Sequence, residues 1–189
     1  MDKNTKLNKV TQALKELQKA LNEEGINPRN GLPLDLFLFA TTLLPFVNVD
    51  LLVLDEHRKI LLSWRDDLYY GKGWQLPGGC IRLKENILSR IQKTAFSELG
   101  SEVICEKNPL AVRECILPEY RKGLENQLER SHNIVLLYEC SLPSGFYIDN
   151  KQKTCDKEGY LKWFDHIPDN LLECHKIAYL DILKKKISC

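Results

Sequence analysis

The sequence lacks the patterns that mark several large classes of protein. No C-x-x-C pair occurs among its seven cysteines, which argues against a zinc knuckle or a redox dithiol. The formal net charge is only +1, so no overall field attracts nucleic acid or a membrane surface. The longest apolar run, Leu34–Val47, contains Asp35 and Pro45 and is too short to cross a membrane. We therefore expect neither a nucleic-acid partner nor a membrane span.

The cysteines and the first residues of the chain bear on its location. The cysteine count is odd and the thiols are scattered through the sequence, as expected of free thiols in a reducing compartment. Residues 1–9 are polar and charged and contain no apolar signal segment. We predict a cytoplasmic protein.

A chain of 189 residues fits one domain with an appended helix. Near its start, apolar residues recur at spacings of three and four and predict an amphipathic helix that ends near Gly25: Leu7, Val10, Leu14, Leu17 and Leu21. A linker rich in proline and glycine, Ile26–Pro33, follows. We predict this helix and linker in residues 1–33 and the main domain in residues 34–189. The apolar stripe fits either packing on that domain or a homodimer.

The main domain alternates strand and helix patterns. Asp35 is positioned to cap a short helix that Pro45 stops, and Gly100 stands where a helix from Glu85 to Leu99 needs a left-handed residue. The remaining expected elements are a hairpin of Val47–Leu54 and Ile60–Trp64, strands at Val103–Val112, Ile134–Cys140 and Tyr160–Phe164, and a helix at Ile167–Ile187. Strands that bracket a strong helix predict an α/β domain with a mixed sheet between helices.

The stretch from Gly73 to Gly100 carries the most specific pattern. It resembles the Nudix box, G-x5-E-x7-R-E-U-x-E-E-x-G-U, where U is a bulky apolar residue. Gly79, Glu85, Glu98 and Gly100 stand at the matching positions, and W-x-L-P-G-G at Trp74–Gly79 is a typical lead-in. The departures from the box are Lys93, Thr94, Ser97 and Ser101.

The residues that match the box have a plausible chemistry. Two adjacent glycines let backbone groups approach a ligand without side-chain obstruction. Glu98 near the end of the following helix, together with one backbone carbonyl, forms a partial shell for Mg²⁺, which keeps several waters and takes phosphate oxygens. We predict one ion, Mg²⁺ with Mn²⁺ as a substitute, bound weakly until a diphosphate supplies more ligands.

Among Nudix proteins the chain resembles the GDP-mannose mannosyl hydrolases, which also have a reduced box. The resemblance covers a little over a quarter of the chain, chiefly 34–54 and 74–100. It implies a Nudix α/β/α sandwich and hydrolysis of a nucleotide sugar at the anomeric carbon. The roles that it implies are metal ligation by Gly78 (carbonyl) and Glu98, catalysis by Asp50, Arg65 and Glu158, substrate binding by Arg65, Lys93 and His132, and structural roles for Gly79, Glu85 and Gly100. Cys80, Glu158 and Asn133 replace an arginine, a histidine and a tyrosine of those relatives.

Several of these candidates also have an explanation that involves no functional site. Arg65 precedes Asp66 and Asp67 and could form an ion pair in a turn, Glu158 could be an exposed loop acid, and His132 could lie at a strand edge. Two other functions stay open: a pyrophosphatase that attacks phosphorus, and a non-catalytic module that binds a nucleotide or sugar. We expect the loop 113–130 to determine specificity.

Overall fold

The structure, a computed structural model, describes residues 3–117 and 132–187, with the side chains of residues 8–117 and 132–187. Most of the loop 113–130 therefore lies outside the described residues. The helices are Lys3–Glu23, Leu34–Leu43, Ile87–Leu99 and Glu173–Ile187 (α1 to α4). The strands are Phe46–Val53, Ile60–Asp67, Gly71–Gln75, Gly78–Cys80, Ile104–Cys105, Ala111–Ile116, His132–Ser141 and Leu161–Phe164 (β1 to β8).

The strands form two sheets. The larger sheet has the order β4-β1-β7-β5, and β6 also pairs with β7. It is mixed, because β1 runs parallel to β7 while β4, β5 and β6 are antiparallel to their partners. The smaller sheet, β3-β2-β8, is antiparallel throughout. Each sheet is thus built around a strand whose two edges are both paired.

Alternate residues of the central strands face opposite sides. Val49, Leu51 and Val53 of β1 pack in the core that α3 covers, whereas Leu52 and Leu54 pack in the core that α4 covers. This alternation is expected of a strand buried on both faces. Helices therefore cover both faces of the sheets, which confirms the predicted α/β/α sandwich with a mixed sheet. Among the described helices, none is long and apolar enough to cross a membrane.

The predicted hairpin of β1 and β2 is wrong. The two strands belong to different sheets, and a single antiparallel bridge between Leu54 and Ile60 joins their ends. The intervening turn forms as expected, since the Asp55 carboxylate accepts the backbone N–H groups of His57 and Lys59 at 2.9 and 2.7 Å. Both strands are apolar on both faces, so each is a central strand of its own sheet.

Three other boundaries differ from the prediction. α4 begins at Glu173, because residues before it pair with β3: the Trp74 N–H donates to Asn170 O and the Leu172 N–H to Trp74 O. The N-cap of α2 is Pro33, and Asp35 lies within its first turn. The expected strand at Val103–Val112 is divided between β5 and β6.

The amphipathic helix at the start of the chain is present as α1, and its apolar stripe is largely exposed. Val10 and Leu14 are each 56% exposed and Leu17 is 37% exposed. The stripe therefore does not pack on the main domain among the residues described. A homodimer through this surface stays a prediction, as does the domain boundary at residue 33.

Candidate functional site

The glycine pair lies on β4, at the edge of the larger sheet. Leu51 N–H donates to Pro77 O and Ile81 N–H donates to Val47 O, so the alternation of an antiparallel ladder turns the polar backbone groups of Gly78 away from β1. The Gly78 N–H reaches Glu98 Oε1 at 3.3 Å. Its carbonyl faces the same edge, where the two predicted metal ligands therefore meet.

Both glycines are required by close packing. A Cβ atom at Gly78 would lie 2.1 Å from Asp50 Oδ1, and one at Gly79 would lie 2.5 Å from Thr94 Oγ1. Gly78 is the register partner of Asp50 in the β1–β4 ladder. The absence of side chains thus brings β4 against the Asp50 carboxylate and against α3.

Glu85 anchors the start of α3 through contacts with two basic side chains. Its carboxylate accepts two bonds from Arg90, at 2.8 and 2.9 Å, and one from Lys93 Nζ at 2.9 Å. Burial alone would raise the pKa of Glu85, but the bonds from Arg90 and Lys93 outweigh it and lower the pKa to about 2. Lys93 therefore pairs with Glu85 at the helix start, and it does not line the cavity beside Asp50 that is described below. Gly100 ends the helix in the left-handed conformation, with φ of 71°.

Glu98 is a carboxylate with one buried, unused oxygen. Its Oε2 atom is inaccessible to solvent and has no hydrogen-bond partner among the described residues. Burial raises the pKa of Glu98 to about 8 despite the Gly78 N–H and Arg65, and the negative charges of Asp50 and Glu158 add to the rise. The charged form of Glu98 therefore requires a further positive partner.

Asp50 is the second buried carboxylate of the site and is only 5% exposed. Its Oδ2 atom accepts a hydrogen bond from the Tyr179 hydroxyl at 2.6 Å. Burial raises the pKa of Asp50 to about 6, against the opposing effects of Tyr179 and Arg65. A carboxyl group that titrates near neutrality is suited to exchange a proton with a bound water.

Arg65 provides the positive charge of the site, and three side chains contact its guanidinium group. Its Nε atom pairs with Asp67, Nη1 donates to Gln75 Oε1 at 3.0 Å, and the guanidinium carbon lies 4.6 Å from the centre of the Tyr70 ring. The ion pair anticipated as the plainer explanation is thus present. It fixes a guanidinium whose charge also acts on Asp50 and Glu98.

A cavity of about 70 Å³ opens beside Asp50, on the side of the sheet that α4 covers. Three buried polar atoms on its walls have no partner among the described residues: Asn48 Oδ1, Asn133 Oδ1 and His175 Nδ1. Burial, aided by Arg65, lowers the pKa of His175 to about 3, so the ring is neutral at physiological pH. These side chains can hydrogen-bond a polar group that enters the cavity.

The remaining predicted site residues differ in position. Glu158 is exposed and accepts the Asp66 N–H at 2.9 Å, yet lies near enough to Glu98 to affect its ionisation. His132 lies on the outer part of β7 and contacts Glu114 at 3.1 Å. The structure thus brings Asp50, Arg65, Gly78, Glu98 and Glu158 together and leaves Lys93 and His132 outside.

The residues would suit a single magnesium ion whose remaining ligands would be water and substrate. An unpartnered buried oxygen of Glu98 and the edge-facing carbonyl of Gly78 are hard oxygen donors, which Mg²⁺ prefers. No three His, Cys, Asp or Glu side chains within 8–117 and 132–187 are grouped to hold a metal alone. The protein therefore offers a partial set of ligands.

Comparison with known proteins identifies the fold. No family model matches the chain, and no curated protein matches it in sequence. A solved structure of UDP-X diphosphatase is 19% identical, with a TM-score of 0.50, over 100% of this chain and 85% of that one. Nudix hydrolases from Clostridium perfringens (16% identical) and Burkholderia pseudomallei (a MutT Nudix hydrolase, 18% identical) each have a TM-score of 0.50, over 77% of this chain and 97% of theirs. The chain therefore has the Nudix fold.

Proposed function

We propose that the protein is a Mg²⁺-dependent hydrolase of nucleoside-diphosphate-linked compounds, with a nucleotide sugar as the substrate. Mn²⁺ is the expected substitute ion. The main support is the pairing of Glu98 with Gly78 beside Asp50 and Arg65 on a Nudix fold. Two carboxylates that repel each other in a buried place are stabilised when a divalent cation enters.

The cation would be held by the Glu98 carboxylate and the Gly78 carbonyl, and when bound it supplies positive charge to the diphosphate. Arg65 binds the same diphosphate, because its guanidinium is fixed by Asp67 and Gln75 and its remaining N–H groups can donate to phosphate oxygens. Neutralising the charge that develops on a leaving diphosphate is the largest contribution expected in such a site.

Asp50 is the better placed of the two carboxylates that could activate water. It is buried, it is oriented by the Tyr179 hydroxyl, and it faces the cavity beside Gly78. Glu158 is exposed and its Oε2 atom already accepts the Asp66 N–H. We assign the general base to Asp50 and a supporting electrostatic role to Glu158.

Two features favour a sugar and attack on its anomeric carbon. The unpartnered atoms of Asn48, Asn133 and His175 in the cavity can accept bonds from hydroxyl groups. The box also retains only Glu98 among the carboxylates of its second half, as in the similar GDP-mannose mannosyl hydrolases. In the proposed reaction, water adds to the anomeric carbon, the bond to the diphosphate oxygen breaks, and Asp50 takes the proton of the water.

The test is a turnover screen against nucleotide sugars and other nucleoside diphosphates, with and without Mg²⁺, with the products separated by chromatography. The proposal expects Mg²⁺-dependent release of nucleoside diphosphate and free sugar. Reaction in ¹⁸O-labelled water should place the label in the sugar. Nucleoside monophosphate plus sugar phosphate, with label in a phosphate, would instead establish a pyrophosphatase.

A binding module without catalysis is the second candidate. Thr94 and Ser97 replace box carboxylates: Thr94 packs against Gly79 on β4, and Ser97 Oγ donates to Thr94 O within the helix at 3.1 Å. Protein that binds a panel compound without Mg²⁺ and turns over none would support this alternative.

A further inference from the structure

A second, larger groove adjoins Glu98 on the side of the sheet that α3 covers. It has a volume of about 530 Å³, within the range of small-molecule pockets. One wall is the end of α3, from Phe96 to Ser101, and includes Glu98. The other wall is the segment between β7 and β8, including Tyr147, Lys151 and Lys153. Glu98 thus borders a space large enough for a nucleoside.

Two exposed aromatic rings stand on opposite walls of this groove. Phe96 is 68% exposed and Tyr147 is 77% exposed. Both rings are therefore accessible to a ligand that enters the groove. An aromatic ring accepts any nucleobase, because every base has a face that can stack on it.

The segment that carries Tyr147 is held in a defined conformation. The Asn150 side chain both donates to Leu161 O at 3.1 Å and accepts the Leu161 N–H at 2.8 Å. Lys151 and Gln152, next in the chain, both have positive φ, 46° and 63°. Non-glycine residues are rarely found there, and such strain is often associated with binding sites. The fixed conformation of this segment holds Lys151 and Lys153 at the groove.

Besides Glu98, three charged residues line the groove: Lys151, Lys153 and Asp149, whose carboxylate accepts the Lys151 N–H at 2.9 Å. Lys153 Nζ lies where a Cβ atom of Gly159 would be 2.8 Å away, so its ammonium is beside the residue that follows Glu158. Arg65 and Glu158 both affect the ionisation of Glu98, so Lys153 and Glu98 mark the end of the groove that adjoins the site described above. A phosphate chain suits this end, whereas the aromatic rings offer apolar contact to an uncharged group.

We propose that this groove binds the nucleoside half of the substrate, with the base stacked on Phe96 and Tyr147 and the phosphates directed towards Lys153 and Glu98. The proposal rests on the function proposed above and extends it. Hydroxyl groups of the sugar then reach into the smaller cavity beside Asp50, with the diphosphate between the two spaces.

The test compares nucleoside diphosphates with inorganic pyrophosphate, which lacks a base. Isothermal titration calorimetry with Mg²⁺ measures the binding of UDP, GDP, ADP and pyrophosphate to the unaltered protein and to the variants Phe96→Leu and Tyr147→Leu. Phe39→Leu is the matched control, because Phe39 is 53% exposed on α2 and does not line the groove. Circular dichroism checks that each variant is folded.

The proposal expects at least one nucleoside diphosphate to bind more tightly than pyrophosphate. Phe96→Leu and Tyr147→Leu should each weaken that binding about tenfold, a loss typical of a removed stacking ring, and leave pyrophosphate unaffected. Phe39→Leu should change neither. Unchanged nucleotide affinity in both groove variants would overturn the groove assignment alone. Failure of the unaltered protein to bind any of the four compounds would overturn the proposed function, and the groove assignment with it.

Discussion

Replacing Glu98 with glutamine should stabilise the metal-free protein at alkaline pH. Because the pKa of Glu98 is raised from 4.5 to about 8, the folded protein retains a proton that the unfolded chain releases between these values. The free energy of unfolding therefore falls as pH rises through this window and levels off above about pH 8. Glutamine has the same shape but no charge to lose.

The size of the effect follows from the shift in pKa. At about 1.4 kcal/mol for each pKa unit, full ionisation of Glu98 reduces the free energy of unfolding by about 5 kcal/mol. Water entry and relaxation around this half-buried residue lower that figure, so we expect Glu98→Gln to gain about 2 to 4 kcal/mol at pH 8.5. At pH 5.0 the two proteins should agree within about 1 kcal/mol.

Urea unfolding in EDTA, followed by tryptophan fluorescence, measures this difference at both pH values. Glu102→Gln is the matched control, since Glu102 is exposed just beyond the same helix. Adding Mg²⁺ should stabilise the unaltered protein at pH 8.5 but not Glu98→Gln, because a ligand stabilises the state that binds it. Equal stability of Glu98→Gln and the unaltered protein at pH 8.5 would show that Glu98 is solvated and would refute the reasoning.

Two further changes probe the same cluster. Arg65→Lys keeps the charge but loses the planar guanidinium, so kcat/KM for the substrate found in the screen should fall at least about 100-fold; an unchanged kcat/KM would remove Arg65 from diphosphate binding. Tyr179→Phe deletes the hydroxyl that lowers the pKa of Asp50, so that pKa should rise above about 6. The acidic limb of the pH profile of kcat should then move to higher pH, and an unmoved limb would argue against Asp50 as the general base.

Much of the fold was predictable because burial repeats with a regular period. α1, α3 and β7 each carry a clear periodic or apolar pattern, and all three are present. The pairing of β1 with β7 and of β2 with β8 was not predictable, since strands that are apolar on both faces carry no mark of their partners. The expected hairpin failed for this reason. α4 began later than expected because Trp74 pairs with the backbone before it.

The candidate site was predictable only where a local motif exists. Gly78, Glu98, Asp50 and Arg65 were predicted from the box and the resemblance that it carries, and their roles stay predictions. Tyr179 and His175 were missed because they lie on α4, more than a hundred residues from Asp50 in the sequence. Nothing in the pattern of that helix distinguishes a side chain that faces a cavity from one that fills a core.

The residues that depart from the Nudix box affect its carboxylates more than the contacts that anchor its helix. The anchoring contacts survive, since Glu85 binds Arg90 and Lys93 at the start of α3, and Gly79 packs against the helix. Of the carboxylates in the second half of the box, the sequence keeps only Glu98, the proposed metal ligand. A helix that does not bind metal would have little reason to keep a buried carboxylate with one unpartnered oxygen, because a buried charge without enough partners opposes folding. The presence of Glu98 in that position therefore favours a working metal site over a purely structural remnant.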